Sequence, residues 1–546
     1  MHIMKRYLNY FSLTLAAFFA VTSCTDLQIE ETDSFISEGF QGLENPASAL
    51  DQLYNNVYGQ WADQANRYAL YEVTTDALLV PTRGADWGDN GRWRKLHTHD
   101  WGLEETDILT PFDQFNSNQL LASQILDSRS GASGDVAAQA RFLRAFSMFT
   151  ILDLFGQVPY RDTQLSSSAV PEVLSGAAAV DFILSDLDAA ISGLASVGAG
   201  TGDLRKASKE AAMMLKAKVL LNRHIYDNQA AIAAGGAIPA ASASDMQAVI
   251  SLVDDIASAG YELQAGYFEI FEASADTETL WWGTANVGNR IFNGLHYNST
   301  GLGGGGWNGF STLAEYYDLF EGDANQNRLE GDLHSAAKDG QEERRGGVPN
   351  VGIDFTGVPG TSDNGGKEDG SNVGKGFLID QQYGLQGNAL TDRQGQPLKF
   401  GRDFVDGAGS PSLINNDEKT GIRVMKYQPR FDGGFAGHNI MFRFADAYLM
   451  KAEAVLRTGG DATSLVNELR VLRGATPLAN VTESDLLDER ARELYAEGWR
   501  RNDMIRFGQY NRNWQFKGDR DQKRILFPIP LPQLLANPGL QQNPGY

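Results

Sequence analysis

Apolar residues recur at three- and four-residue steps in several stretches of the chain, which is the period of one helix face. In AAQARFLRAFSMFTILDLFG, Phe142, Ala145, Phe146, Phe149 and Leu152 keep that step; Gly156 follows as a stop, with Pro159 just beyond. ASKEAAMMLKAKVLLNRHIY sets Ala212, Leu215, Val219 and Asn222 on one face, with Ala211, Met214 and Leu221 beside them. In MFRFADAYLMKAEAVLRTGG the stripe is Phe444, Ala445, Tyr448, Ala452 and Val455, and Gly459-Gly460 ends it. DATSLVNELRVLRG reads as the partner helix. TESDLLDERARELYAEGWRRNDMIRFG reads as one more, with Thr482 as N-cap and Gly508 as stop. Ala-rich helix pairs joined by short Gly-containing turns predict tetratricopeptide-like packing, without a strict repeat consensus.

Between about Gly283 and Gly437 the period disappears, and Gly, Asn and Asp dominate, as in GLGGGGWNGF and GTSDNGGKEDGSNVGKG. Runs of this length are either disordered or functional loops carried on a scaffold. The helices on either side share one character, so the expectation is a mostly α single domain over 39–546, with an irregular excursion at about 283–437. The Pro-rich, apolar tail FPIPLPQLLANPGLQQNPGY predicts a strap packed on the body.

The N-terminus has a different layout. Lys5 and Arg6 precede an apolar run from Tyr10 to Val21, too short to span a membrane and arranged as an export signal. Val21-Thr22-Ser23-Cys24 resembles a bacterial lipobox, which divides the chain into a signal peptide (1–23) and a lipidated acidic tether (24–38). The run TDLQIEETD resembles the surface-export signal of Bacteroidetes lipoproteins. Cys24 is the only cysteine, so an intrachain disulfide is impossible, and lipidation accounts for a lone thiol in an exported protein. No later segment has eighteen or more apolar residues. With 546 residues, 42% of them hydrophobic, a large core can be buried. A formal charge of -23 argues against a nucleic-acid partner, which would recruit Lys/Arg-rich surfaces.

Enzymatic chemistry finds little purchase. Gly301–Gly306 formally satisfies G-x-G-x-x-G, but Trp307-Asn308-Gly309 follows where the dinucleotide fingerprint needs a helix. Asp323, Asn325 and Asn327 are spaced like a calcium loop, yet Arg328 and His334 occupy the positions that need Gly and Glu. His97 and His99 would share a strand face, but no third ligand is near in sequence; a solvated or hydrogen-bonded pair is expected. Neither H-E-x-x-H nor G-x-S-x-G occurs. A glycosidase carboxylate pair is not identifiable among acids that look distributed. The reading is a non-enzyme with no metal and no cofactor.

The aromatics are more informative. VPTRGADWGDNGRWRKLHTHDWG places Trp87, Trp93 and Trp101 among charged and polar residues without a period. Such rings either plug a core or form a platform for the apolar C–H face of a sugar. Trp281 and Trp282 are adjacent and point opposite ways on a strand, so at most one is exposed. Tyr297 and Trp307 stand among asparagines in the irregular region, and Trp499 reads as packing.

These pieces together resemble the SusD/RagB family of Bacteroidetes outer-membrane lipoproteins. The likeness runs through Cys24, ALDQLYNNVYG, ARFLRAFSMFTILDLFGQVPY (Ala140–Tyr160), ASKEAAMMLKAKVLL (Ala207–Leu221), RFADAYLMKAEA, ERARELYAEGWRRNDMIRFG and LFPIPLPQLLANPGLQQNPGY. It implies four tetratricopeptide-like helix pairs supporting a loop-rich ligand-binding half. It implies a non-catalytic protein that binds glycan and sits as a lid on a SusC-like TonB-dependent transporter, anchored in the outer membrane at the cell surface. VPTRGADWGDNGRW resembles the family's ligand-side segment, so Asp86, Trp87 and Trp93 become sugar-facing candidates, with Asp76, Trp282, Tyr297 and Trp307 beside them. Trp101 keeps the core reading. A neutral glucan or fructan is the expected ligand. The alternatives are a helical scaffold that closes its transporter without selecting glycan, and a glycoside hydrolase.

Overall fold

In the structure, a computed structural model, residues 39–166, 168–271, 276–299, 305–325, 327, 341–346, 376–382, 389–427 and 438–546 are described. The signal peptide, Cys24 and acidic tether lie outside them, as do most of the glycine tract from Gly301 and the Arg328 and His334 positions of the calcium-like loop.

The stretch around Phe142 forms a helix, Gly134–Phe155, that is buried on every side from Leu143 to Phe155. The sequence period predicts a single apolar stripe; the helix instead sits between neighbours. Thr106–Leu126 packs on one side and Gly176–Gly193 on the other, with Pro46–Ala62 and Lys209–Tyr226 also touching it. The order continues from Gly176–Gly193 to Lys209–Tyr226, then to Ala243–Ser258 and directly to Phe444–Arg457. Helices on the two sides of the excursion therefore stack as one continuous series, which is the tetratricopeptide-like packing expected from the sequence.

Local chemistry fixes the helix ends. Asn45 accepts from Ser48 N at 3.0 Å with Pro46 in the first turn, and Ser208 accepts from Ala211 N at 3.1 Å. Thr482 and Asp485 form a capping box at the start of Glu483–Leu494. That helix does not run on to Gly508. It stops at Leu494 and resumes as Arg500–Arg506, because Ala496 and Gly498 have φ of 58° and 82°. The turn lets Gly498 N donate to Glu72 Oε1 at 2.5 Å, and a Cβ at Gly498 would lie 3.0 Å from the Arg67 guanidinium. The C-terminal strap is closely bound: Phe527 N donates to Leu154 O at 2.9 Å, and Asn543 Nδ2 bonds Phe155 O and Phe527 O.

The described residues of the excursion form short strands. Ser311–Thr312, Ile422–Met425 and Gly376–Leu378 form an antiparallel sheet with Ile422–Met425 in the centre, and Thr279–Gly283 pairs antiparallel with Asn439–Arg443.

Acidic residues that look distributed in sequence are gathered in the fold. Glu493 faces Arg344, Arg443 and Arg473 at 3.1, 2.8 and 2.9 Å, all four side chains fully buried. Glu278, Glu342, Glu489, Glu497 and Lys426 extend the cluster. A second buried group joins Asp446 to Lys218 and Arg490, and Glu453 to Arg506.

These groups predict acid sensitivity. Burial alone would raise the carboxyls of Asp446, Glu453 and Glu489. The cations facing them (Lys218 and Arg490; Arg506 and Arg457; Arg344, Arg492 and Arg470) instead hold each down to about 2. A carboxyl more acidic in the folded chain than in the unfolded one adds stability above its unfolded value, 3.8 for Asp and 4.5 for Glu. That contribution is lost as pH falls towards the folded value. The urea midpoint is therefore expected to drop progressively between about pH 4.5 and about pH 2. A midpoint unchanged down to about pH 3 would contradict this.

Candidate functional site

The segment from Val80 to Gly91 is held against the excursion by a bridge between Leu79 and Ser311, with N–H to O distances of 2.8 and 2.9 Å in the two directions. Arg83 then acts as a buried clip. Its Nε donates to Asn308 O at 2.8 Å, Nη1 to Asp417 O and Thr420 Oγ1 at 2.9 Å each, and Nη2 to Ser311 Oγ at 2.9 Å. Arg423 donates to Asn308 Oδ1 from Nε and Nη2, at 3.0 and 2.7 Å. Asn308 has a left-handed backbone, φ 55°, and these bonds set the direction in which Trp307 leaves the loop. Burial lowers Arg83 to about 9, with Tyr297, Asp417 and Glu418 opposing the shift. Arg83 stands within VPTRG, and nothing in a lone arginine signals a buried clip.

The clip leaves a shelf of aromatic rings. Trp307 is 40% exposed, and its ring lies 5.9 Å from Phe292 at a shallow angle of 37°. Trp87 is half-buried beside it, and its Nε1 donates to Trp307 O at 2.6 Å. Trp87 also has a left-handed backbone, φ 60°, costly for a bulky residue and a mark of a functional constraint. The approach depends on Gly309: a Cβ there would stand 2.6 Å from the Trp87 ring and 1.9 Å from Asn293 Oδ1.

Polar groups border the rings. Tyr297 Oη donates to Asp86 Oδ2 at 2.6 Å, and the Arg393 guanidinium lies over the Tyr297 ring at 4.0 Å. Arg393 is held in turn by Glu418, Nε to Oε2 at 2.6 Å. Burial, then the hydrogen bond to Asp86, pushes the Tyr297 hydroxyl up to about 12, so it is a donor at neutral pH. Trp87, Trp307, Phe292, Tyr297, Asp86 and Arg393 therefore combine apolar ring surface with fixed donors and acceptors, the composition of a site for a polyhydroxylated ligand. Phe292 and Arg393 are additions that no periodicity or motif indicates.

The structure corrects two sugar-facing expectations. Trp93 is 2% exposed and lies beneath the shelf, packed edge-on against Trp87 at 5.8 Å and Phe310 at 6.1 Å, with Nε1 donating to Asp89. Asp76 is 1% exposed because Arg500 chelates it at 2.8 and 2.7 Å and Arg512 also reaches it. Trp282 is half-buried in a different cleft, with none of the shelf residues on its lining. Trp101 is in the core, bonded to Tyr546 Oη at 3.0 Å. His97 and His99 lie in and just after the helix Arg92–Thr98 rather than on a strand. Both are buried and bonded to the carbonyls of Gln515 and Thr74. Among the described residues no cluster of three His, Cys, Asp or Glu side chains could hold a metal ion, and no helix is long and apolar enough to cross a membrane.

Comparison with known proteins gives concordant results. The model of the SusD family matches residues 277–546. Starch-binding protein SusD of Bacteroides thetaiotaomicron is 26% identical over 443 residues, covering 75% of this chain and 72% of that protein. The fold superposes on surface glycan-binding protein A from Bacteroides fluxus with a TM-score of 0.60 at 19% identity, covering 92% of this chain and 99% of that one. A laminarin-binding SusD-like protein gives a TM-score of 0.61 at 18% identity, covering 93% and 100%.

Proposed function

The chain belongs to the SusD family, and from that membership together with the shelf geometry we propose that it is a non-catalytic glycan-binding protein of the cell surface. On this reading it is anchored in the outer membrane by lipid on Cys24 and delivers its glycan to a SusC-like TonB-dependent transporter. The observation that carries the proposal is the exposed Trp307 ring, oriented by the Arg83–Asn308–Arg423 clip and flanked by Trp87 and the Tyr297–Asp86–Arg393 group. A sugar ring would lie on the indoles while Arg393 and Asp86 bond its hydroxyls. The relative named for starch and the neighbour named for laminarin support a neutral glucan as first candidate, with a fructan next.

Calorimetry against malto-, laminari- and inulo-oligosaccharides tests this. Binding of one of them is expected, weakened about tenfold or more by Trp307→Ala and by Trp87→Ala. The Trp307 variant should melt with the wild type, because its ring is already 40% exposed. Equal affinity in both variants would sink the site. No binding across the panel, with transporter association intact, would favour a closing scaffold, and shortened oligosaccharide products would reveal a hydrolase.

A further inference from the structure

A second aromatic cleft shares none of its lining residues with the shelf. Alternation along Thr279–Gly283 sends Trp281 into the core against Phe142, Phe146 and Phe442 and leaves Trp282 half-buried on the other face. The His438 imidazole meets the Trp282 ring at 4.8 Å. The loop from Gly200 to Arg205 closes over the strand edge: Trp282 N donates to Leu204 O at 3.1 Å, and Gly200, with φ 64°, approaches the Asp276 carbonyl so closely that a Cβ would lie 3.3 Å from it. Thr201, Asp203, Arg205, Asp276, Trp282 and His438 thereby line an open cleft of about 400 Å³, a size that takes one or two sugar rings.

The polar groups of the cleft are specific in kind. Arg205 grips Asp203 with two parallel bonds of 2.6 and 2.9 Å, both side chains about half exposed at 50% and 45%. Those two bonds use only part of a guanidinium with five N–H groups, so donors stand beside an anionic acceptor. His438 is 5% exposed, with Nε2 turned towards Asp276 Oδ2 at 3.8 Å, so its ring backs the Trp282 indole as part of the cleft wall.

We propose that this cleft is a second carbohydrate site, independent of the shelf, in which Trp282, backed by His438, meets the C–H face of a neutral sugar while Arg205 and Asp203 bond its hydroxyls. It rests on the cleft's own residues and not on the shelf reading. A polymer long enough to engage both sites would gain avidity that a short oligosaccharide does not.

Saturation-transfer NMR with methyl glycosides of glucose, galactose and xylose, on wild type, Trp307→Ala, Trp282→Ala and the double variant, tests the proposal. The expected result is a signal that survives Trp307→Ala and is lost when Trp282→Ala is added. Arg205→Ala, a change at an exposed rim residue, should weaken that residual binding about tenfold with unchanged melting, and it decides the matter if Trp282→Ala unfolds early. A residual signal indifferent to both changes in the cleft, or no signal from any glycoside, overturns the second site. Loss of all signal in Trp307→Ala alone also overturns it and leaves the shelf standing. Loss in Trp282→Ala alone, with Trp307→Ala silent, keeps the second site and removes the shelf.

Discussion

Replacing Glu493 by glutamine is expected to lower folding stability by about 3–5 kcal/mol, the range for removing one partner from a buried ion group. The carboxylate faces Arg344, Arg443 and Arg473 with no access to water. Burial would raise its pKa, but Arg473, Arg443 and Arg344 hold it well below the usual carboxylate range. Glutamine keeps the shape, loses the charge and turns an N–H₂ group towards guanidinium donors. The backbone carbonyl of residue 493, which accepts from Tyr267 Oη at 2.7 Å and Arg443 Nη2 at 2.6 Å, is untouched, so the loss reports the carboxylate. Because Arg344 and Lys426 come from the excursion while Arg443, Arg473 and Glu493 belong to the helical scaffold, the joint between the two should loosen first. Urea unfolding gives the magnitude, and hydrogen exchange at residues 341–346 gives the location. Asp181→Ala, at the exposed pair with Arg223, is the control and should cost less than about 1 kcal/mol. Equal small losses in both variants would show that the buried cluster contributes nothing special.

Trp93→Ala is expected to cost about 3–5 kcal/mol as well, through a different cause: a cavity beneath the shelf. Trp93 is 2% exposed and supports Trp87 edge-on, so its removal takes away the floor on which Trp87 keeps its left-handed backbone. Glycan affinity should fall too, but with an earlier melting transition, whereas Trp307→Ala should reduce affinity alone. Trp93→Phe, which refills most of the space, should recover much of the stability. Weakened binding with unchanged melting in Trp93→Ala would restore the sugar-facing reading of that ring.

Periodicity and end signals made much of the scaffold legible. The stripe ending at Val455, the Thr482 cap, the Gly156 stop and the strapped tail were all readable because each depends on residues near in sequence. The failures have a common form. The break after Leu494 exists because Gly498 must reach Glu72, more than four hundred positions away, and helical propensity carries no trace of that partner. Arg83 and Arg423 look like ordinary surface cations until Asn308 and its neighbours are brought between them. Trp87, Trp93 and Trp101 share one aperiodic segment, yet the first is half-buried on the shelf, the second lies under it and the third is in the core.

The sequence by itself determined the mostly helical scaffold and the aromatic-rich segments from which a ligand site could be built. The tertiary structure decided which ring faces outward, which acids pair in the interior and that Trp282 stands apart from Trp307. The physical reason is that helix period and capping are local interactions, set within a few residues. Exposure and ion pairing depend on what is folded over a side chain from the far end of the chain, and identical residue types receive opposite roles according to that cover.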